Sequence, residues 1–420
     1  DKLHPHALAA VVSHLNEDKE LNILYSDEDK IDEQGNRSEP FFKPGWSPDL
    51  LLSQNYTCHL SVYRKAIIDK LNGIREGTDG AQDYDLILRA TEQTKKIKHI
   101  PHVLYHWRAI EGSTAMGAQE KGYAHQRAIE VLNDALDRRN LSAEVLETGL
   151  GAYHRVRYDL PAPAPMVSII IPTKDRVDLL TTCVNGLLEK TSYENLEILV
   201  VNNNSTEAKS FEYFEIIKKN EKIRVLNFPG EFNFAAINNF AASEASGEIL
   251  ILLNNDIEVI DEGWITELVS HSSRPGVGAV GCRLYYPDNR VQHDGIIIGM
   301  GGVAGYANPG LKRSAVAQFG GSRVIRNYSA VTAAALAVRK TVFDEVGGLE
   351  ALNLEVAFND VDFCLRVAQA GYRNLYTPYC ELYHHESLSR GLDTSGEKAK
   401  RFEKEVNYMK QKWAHIIQND

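Results

Sequence analysis

The chain has 420 residues, 43% hydrophobic and 25% charged, too long for one ordinary domain and able to bury a sizeable core, which excludes disorder as its main state. Its 57 acidic side chains outnumber 46 basic ones, giving a net charge of −11, so it lacks the basic footprint of a nucleic-acid binder. The longest apolar stretches, such as Ser329 to Val338, fall well short of the roughly 20 residues that cross a bilayer.

In chain order, residues 3–15 read as an amphipathic helix and LNILYS as a strand, followed by a loop over 36–56 rich in Pro, Ser, Asp and Asn. His59 to Leu71 is strand then helix, Gln82 to Thr91 a helix, Ile100 to Trp107 a strand, and Tyr123 to Arg139 a second long helix. A hairpin over Ala143 to Leu160 leads into the stiff PAPAP segment, Pro161 to Pro165, the sharpest domain boundary in the sequence. Beyond it strands and helices alternate. Val167 to Ile171, Glu197 to Val201, Ile223 to Leu226 and Glu248 to Leu253 are short apolar strands with helices between them, the pattern of a doubly wound, mainly parallel sheet. Ligands of such sheets bind outside the carboxyl ends of the strands. Here those ends read PTKD (172–175), NNNS (202–205) and NND (254–256), all polar and expected to converge.

The two halves repeat one another. VYRKAIIDKLNG (62–73) matches AVRKTVFDEVGG (337–348), QDYDLILR (82–89) matches NDVDFCLR (359–366), and IPHVLYH (100–106) matches TPYCELYH (377–384) with a one-residue gap. The N-terminal 110 residues therefore read as the second half of the domain found complete after the linker, its first half lying upstream of Asp1. The five cysteines, Cys58, Cys183, Cys282, Cys364 and Cys380, are odd in number and never spaced CxxC, which suits a reducing, cytoplasmic setting rather than a disulfide framework or structural zinc.

Asp256, ending an apolar strand, can bind Mg2+ or Mn2+ or can cap the segment that begins near Gly263. The two polar strand ends beside it favour the metal. Asp360 and Asp362 open a helix, where the dipole favours acids, and Asp83 and Asp85 repeat them, so the pair matters either to the fold or to the chemistry. His384 and His385 follow a strand, and His106 occupies the matching place; an imidazole there can complete a metal site with Asp256. The glycine-rich stretch 299–321 superficially fits a dinucleotide fingerprint at GMGGVA, but GYANPG breaks the helix that should follow, so a loop covering the substrate is expected instead. The last helix, Glu397 to Ile417, carries Phe402, Val406, Met409, Trp413 and Ile416 on one stripe, suited to packing on its own domain or to docking at a membrane surface.

Taken together, VSIIIPTKDR, EILVVNNNST, NND, NDVD and ELYHHES resemble, in order, the motifs of glycosyltransferase family 2, over Val167 to about Gly391 and again, without the front half, over 1–112. The resemblance implies the α/β GT-A fold, a doubly wound, mainly parallel sheet with helices on both faces, preceded by a partial repeat. It divides the chain into a partial domain (1–112), a linker helix, hairpin and Pro-rich linker (113–166), a complete domain (167–395) and a C-terminal amphipathic helix (396–420). It further implies a metal-dependent inverting transferase that moves a sugar from a nucleotide-diphosphate donor to a saccharide or lipid-linked saccharide acceptor of a surface polysaccharide or O-antigen. Under that resemblance Asp360 is the general base, Asp256 and His384 hold Mn2+ or Mg2+, and Thr173, Asp175, Arg176, Asn202, Asn203, Asn204 and Asn255 contact the donor. Asn359, Asp362 and His385 are acceptor-side or supporting candidates, and Asp83 and His106 are silent counterparts. Asn254, Asn202 and Asn359 stand where the family usually has acids.

Such an enzyme would work in the cytoplasm, at or near the inner face of the membrane. A sugar-phosphate nucleotidyltransferase would need a Gly-rich basic loop after the first strand, which PTKDRVD lacks. A non-catalytic carbohydrate- or nucleotide-sugar-binding module is the alternative, favoured by the Asn substitutions.

Overall fold

The computed structural model describes residues 1–109, 122–385 and 396–418, so the boundaries expected at 112 and 395 fall outside the described residues. The chain divides into two compact units, Asp1–Tyr158 and Asp159–Asp420. No helix among the described residues is long and apolar enough to cross a membrane.

The first unit runs α1 (Ala7–Glu17), β1 (Ile23–Ile31), β2 (Arg37–Phe41), α2 (Pro48–Ser53), β3 (Ser61–Tyr63), α3 (Lys65–Lys70), α4 (Gln82–Gln93), β4 (Ile97–Arg108), α5 (Gly122–Arg138) and a hairpin of β5 (Ala143–Glu147) with β6 (His154–Tyr158). The stretch expected to be loop over 36–56 contains β2 and α2. Its Pro48 sits in the first turn, where the missing N–H costs nothing, and Leu50, Leu51 and Leu52 are buried. Central to the unit is the parallel pair β1–β4, with β3 antiparallel on the far edge of β1.

The second unit is a three-layer αβα domain. Its main sheet has the order β9-β8-β7-β10-β16-β12-β17-β11, formed by β7 (Val167–Thr173), β8 (Leu196–Asn202), β9 (Ile223–Asn227), β10 (Ile249–Leu253), β11 (Ile257–Val259), β12 (Val277–Tyr285), β16 (Ala335–Arg339) and β17 (Arg373–His384). It is parallel from β9 to β10 and mixed beyond. β7, β8 and β10 are buried along nearly their whole length because both faces are covered, whereas the edge strand β9 carries Arg224 and Asn227. Ile169, Ile171, Ile198, Val200 and Ile251 face one core with α6 (Val177–Glu189), α7 (Ala208–Ile217) and α9 (Trp264–Ser272). The intervening Ile170, Leu199, Val201, Leu250 and Leu252 face the other, with α8 (Phe234–Glu244), α10 (Lys340–Glu345) and α11 (Asn359–Gln369).

Between β12 and β16 lie the short β13 (Val291–His293) and the hairpin β14 (Ile296–Ile298)–β15 (Ala304–Tyr306). GMGGVA forms only a 3-10 turn, Met300–Gly302, inside that hairpin. After β17 come α12 (Gly396–Lys412) and α13 (Ala414–Ile417). Met409 and Trp413 of the terminal stripe are buried in the second core, with Val406 and Ile416 packed against it.

Candidate functional site

Strand register assembles the site. Thr173 pairs with Asn202 across β7–β8, and Ile170 with Leu252 across β7–β10, which brings Thr173 level with Asn255. The Asn255 amide donates to Thr173 Oγ1 at 3.0 Å, closing the gap at the switch point where successive strands leave β7 in opposite directions. On the far side Ile257 pairs antiparallel with His384, so β11 lays Asp256 beside that histidine. A cavity of about 610 Å³ opens here, lined by Thr173, Lys174, Asn203, Asn254, Asn255, Asp256, Asn359, Asp360 and His384 and by Phe232, Tyr306, Phe358 and Phe402.

Seven of the expected site residues line this cavity: Thr173, Asn203, Asn255, Asp256, Asn359, Asp360 and His384. Buried Asp256 has Oδ1 3.2 Å from His384 Nε2. Nδ1 of His384 lies 2.6 Å from Gln292 Oε1, which puts the ring proton on Nδ1 and turns the Nε2 lone pair toward the cavity, where the Asn254 amide stands at 3.1 Å. A carboxylate and an imidazole lone pair at this separation repel unless a proton or cation lies between them. An oxygen and a nitrogen donor, the latter oriented by a partner on its other ring nitrogen, fit a divalent ion.

Asp360 stands at the start of α11. Its Oδ2 accepts from the Ala333 N–H at 3.1 Å and Oδ1 from the Val361 N–H at 2.8 Å. Desolvation outweighs both bonds and lifts the carboxyl above its ordinary range. The Ala333 loop is itself supported: the Thr332 N–H donates to His293 Nε2 at 3.3 Å, and His293 Nδ1 donates to the Cys282 carbonyl at 2.9 Å. Burial lowers His293 to about 4.

The remaining candidates are not among the residues that line the cavity. Asp175 braces the turn that leads into α7, accepting from the N–H groups of Thr206 and Glu207 and from the Ser210 hydroxyl, bonds that hold its carboxyl below the ordinary range despite desolvation. Arg176 pairs with Asp178. Asn202 bridges Asn227 and the Ser205 N–H, and the Asn204 amide reaches the Gly230 carbonyl. His385 meets Glu258 at 3.0 Å.

Asp362, an acceptor-side or supporting candidate, is fully buried and tied to Arg366 at 2.8 Å, Lys412 at 2.6 Å and Trp413 Nε1 at 2.8 Å. Two positions past Asp360 on a helix, it points about 200° round the axis, into the core rather than the cavity. Gln292, Lys174 and Phe402 escaped the sequence reading. Gln292 lies in an unpatterned VQHDG and Phe402 was read only as part of a helix stripe, whereas Lys174 stood within the polar PTKD end and was the one within reach.

Residues 168–346 match the model of Glycosyl transferase family 2. They form a family 2 glycosyltransferase domain. The chain is 44% identical over 417 residues to the uncharacterized protein y4gI of Sinorhizobium fredii, covering 98% of this chain and 46% of that protein. It is also 44% identical over 400 residues to the O-antigen biosynthesis protein RfbC of Myxococcus xanthus, covering 94% of this chain and 31% of that one. The chain thus spans less than half the length of either relative. Among solved structures it resembles a mannosyltransferase of Pyrobaculum calidifontis in complex with GDP-Man and Mn2+, at 17% identity and a TM-score of 0.43, over 61% of this chain and 65% of that one. The family 2 match ends before Asn359 and so does not reach Asp360 or His384.

Proposed function

We propose that the second unit is a metal-dependent inverting glycosyltransferase that uses a nucleotide-diphosphate sugar and builds a surface polysaccharide of the O-antigen kind. The observation that carries this is the meeting of Asp256, His384 and Asp360 in one cavity at the switch point of a family 2 domain. The length and identity of the match to RfbC support the polysaccharide assignment.

Thr173, Asn203 and Asn255 would receive the nucleoside at the strand ends, and exposed Lys174 at the cavity wall offers a positive charge to the diphosphate. Asp256 and His384 would hold Mn2+ or Mg2+, whose charge stabilises the departing diphosphate. Asp360 takes the proton of the acceptor hydroxyl as that oxygen forms its bond to the anomeric carbon. The bond from that carbon to the diphosphate breaks, its electron pair leaves with the nucleoside diphosphate, and the configuration inverts. A carboxyl lifted by desolvation is better matched to this work than an ordinary aspartate.

Screening UDP-, GDP- and dTDP-sugars with Mn2+ for thermal stabilisation, followed by nucleotide release, tests the proposal. A ligand at about 100 times its Kd adds about 2.7 kcal/mol of stability. Stabilisation without metal-dependent nucleotide release would instead favour a binding module.

A further inference from the structure

We propose that the C-terminal helix α12 completes the acceptor subsite, with Phe402 and Phe358 forming an aromatic platform for a saccharide ring. The proposal rests on the glycosyltransferase assignment above and adds the ligand chemistry of one wall of the same cavity.

The apolar stripe of α12 is not used uniformly. Met409 and Trp413 are buried, at 0% and 2% exposure, whereas Phe402, two turns earlier, keeps 38% exposure and lines the cavity. Its ring lies 5.6 Å from that of Phe358, tilted by 35°. Phe358 is the residue immediately before Asn359 and Asp360 and adopts a left-handed backbone, φ +59°. A conformation that disfavours any residue with a Cβ persists only where the surroundings fix it. One turn beyond Phe402, buried Glu405 does so by accepting from the N–H groups of Val356 at 2.9 Å and Ala357 at 3.2 Å. The same helix thus supplies one ring of the pair and pins the loop that carries the other.

Position identifies the occupant. The nucleoside and metal ends of the cavity are defined by Thr173 and by Asp256 with His384, whereas Phe358 flanks the base Asp360. A general base must reach the attacking hydroxyl, so the ring beside Asp360 belongs to the acceptor. Partly exposed aromatic faces bordered by a few polar groups suit a sugar that presents an apolar C–H face to the rings and its hydroxyls to the carboxylate.

The test compares Phe402→Ala, Phe402→Leu and Phe402→Trp in the intact chain, with a panel of methyl glycosides as acceptor probes and hydrolysis of the donor by water as the reference reaction. Phe402→Leu keeps apolar volume but loses the π face. Both it and Phe402→Ala are expected to raise acceptor KM roughly fivefold to tenfold, with the loss falling on KM rather than kcat, and Phe402→Trp to restore it. An unchanged KM in both variants overturns the platform, as does a wild-type panel in which no methyl glycoside outpaces water. Equal losses of transfer and hydrolysis in Phe402→Leu also overturn it, since Phe402 would then merely support Asp360. If the wild type releases nucleotide from no donor, the glycosyltransferase assignment fails first and the platform with it.

Discussion

The two units share one pattern of strand pairing and differ in what surrounds the first acid of the helix that follows it. In both, a long central strand pairs in parallel with the last long strand and antiparallel with a short one: β1 with β4 and β3, and β12 with β17 and β16. In both, a helix opens with two aspartates and carries an arginine four residues after the second. Arg89 ties Asp85 at 2.7 Å to the carbonyls of Leu71 and Gly73, and Arg366 ties Asp362 at 2.8 Å to those of Val346 and Gly348. The first aspartates differ. Asp83 is exposed and bonded to Asn55, whereas Asp360 is desolvated at the wall of a cavity. The comparison separates two acids that spacing left joined: the second is tied into the fold in both units, and the first stands at a cavity wall only in the second unit.

The largest effect that would break this comparison is on stability. Removing one partner of a buried ion pair costs about 3–5 kcal/mol, because the other charge stays buried alone. Asp362→Ala should lower the unfolding transition of the second unit, and Asp85→Ala that of the first, by amounts of this order in calorimetry. A clear loss in only one of the two would show that the arginine clamp is not a shared device.

Next is metal and donor binding. Asp256→Ala should abolish Mn2+-dependent nucleotide affinity in isothermal titration. His106→Ala should leave it unchanged, although His106 is oriented just as His384 is, with Nδ1 2.6 Å from Asp29 Oδ1. Full retention of affinity in Asp256→Ala, with and without chelator, would remove the metal from the proposed site.

Asp360→Asn keeps the size and the cap but cannot take a proton, so transfer should fall by roughly 10² or more while donor binding survives. Asp83→Asn should leave transfer by this chain unaltered. Because the folded carboxyl of Asp360 lies above its ordinary range, wild-type activity should rise with pH through that raised value, and its acid limb should sit at higher pH than an ordinary aspartate gives. A pH profile with its acid limb near the ordinary aspartate value would argue for another base.

Much of this was legible in the sequence because the signals are local. Continuous apolar runs reported strands covered on both faces, and polar strand ends reported the switch point, so the sequence pattern alone puts Thr173, Asn255 and Asp256 there. Asp175, Asn202 and Asn204 looked equally good, since polarity at a strand end does not distinguish a side chain that lines the cavity from one that bonds neighbouring loops. By spacing alone the two aspartates of NDVD were inseparable for a similar reason, and only the family resemblance singled out Asp360. Spacing places them on a helix, but only packing shows which faces Trp413 and Lys412. Phe402 reaches the cavity, and Gln292 the far side of the His384 ring, from segments far from the motif strands, so no pattern along the chain connects them to the site.

The smallest expected effect sharpens the comparison most, because it concerns the one site feature built in both units with different chemistry. Each late histidine is oriented through Nδ1, by the carboxylate of Asp29 in the first unit and by the amide of Gln292 in the second. Such partners fix the ring and its tautomer, and losing one typically costs tenfold to a hundredfold in metal affinity. Gln292→Ala should therefore weaken Mn2+ binding by roughly tenfold, the low end of that range. Gln292→Glu, which gives the second unit the carboxylate–histidine pair of the first, should recover affinity in the same Mn2+ titration. If Gln292→Ala binds Mn2+ as the wild type does, the ring is held by the β11–β17 register alone, and the shared Nδ1 partner is a feature of the fold rather than of the metal site.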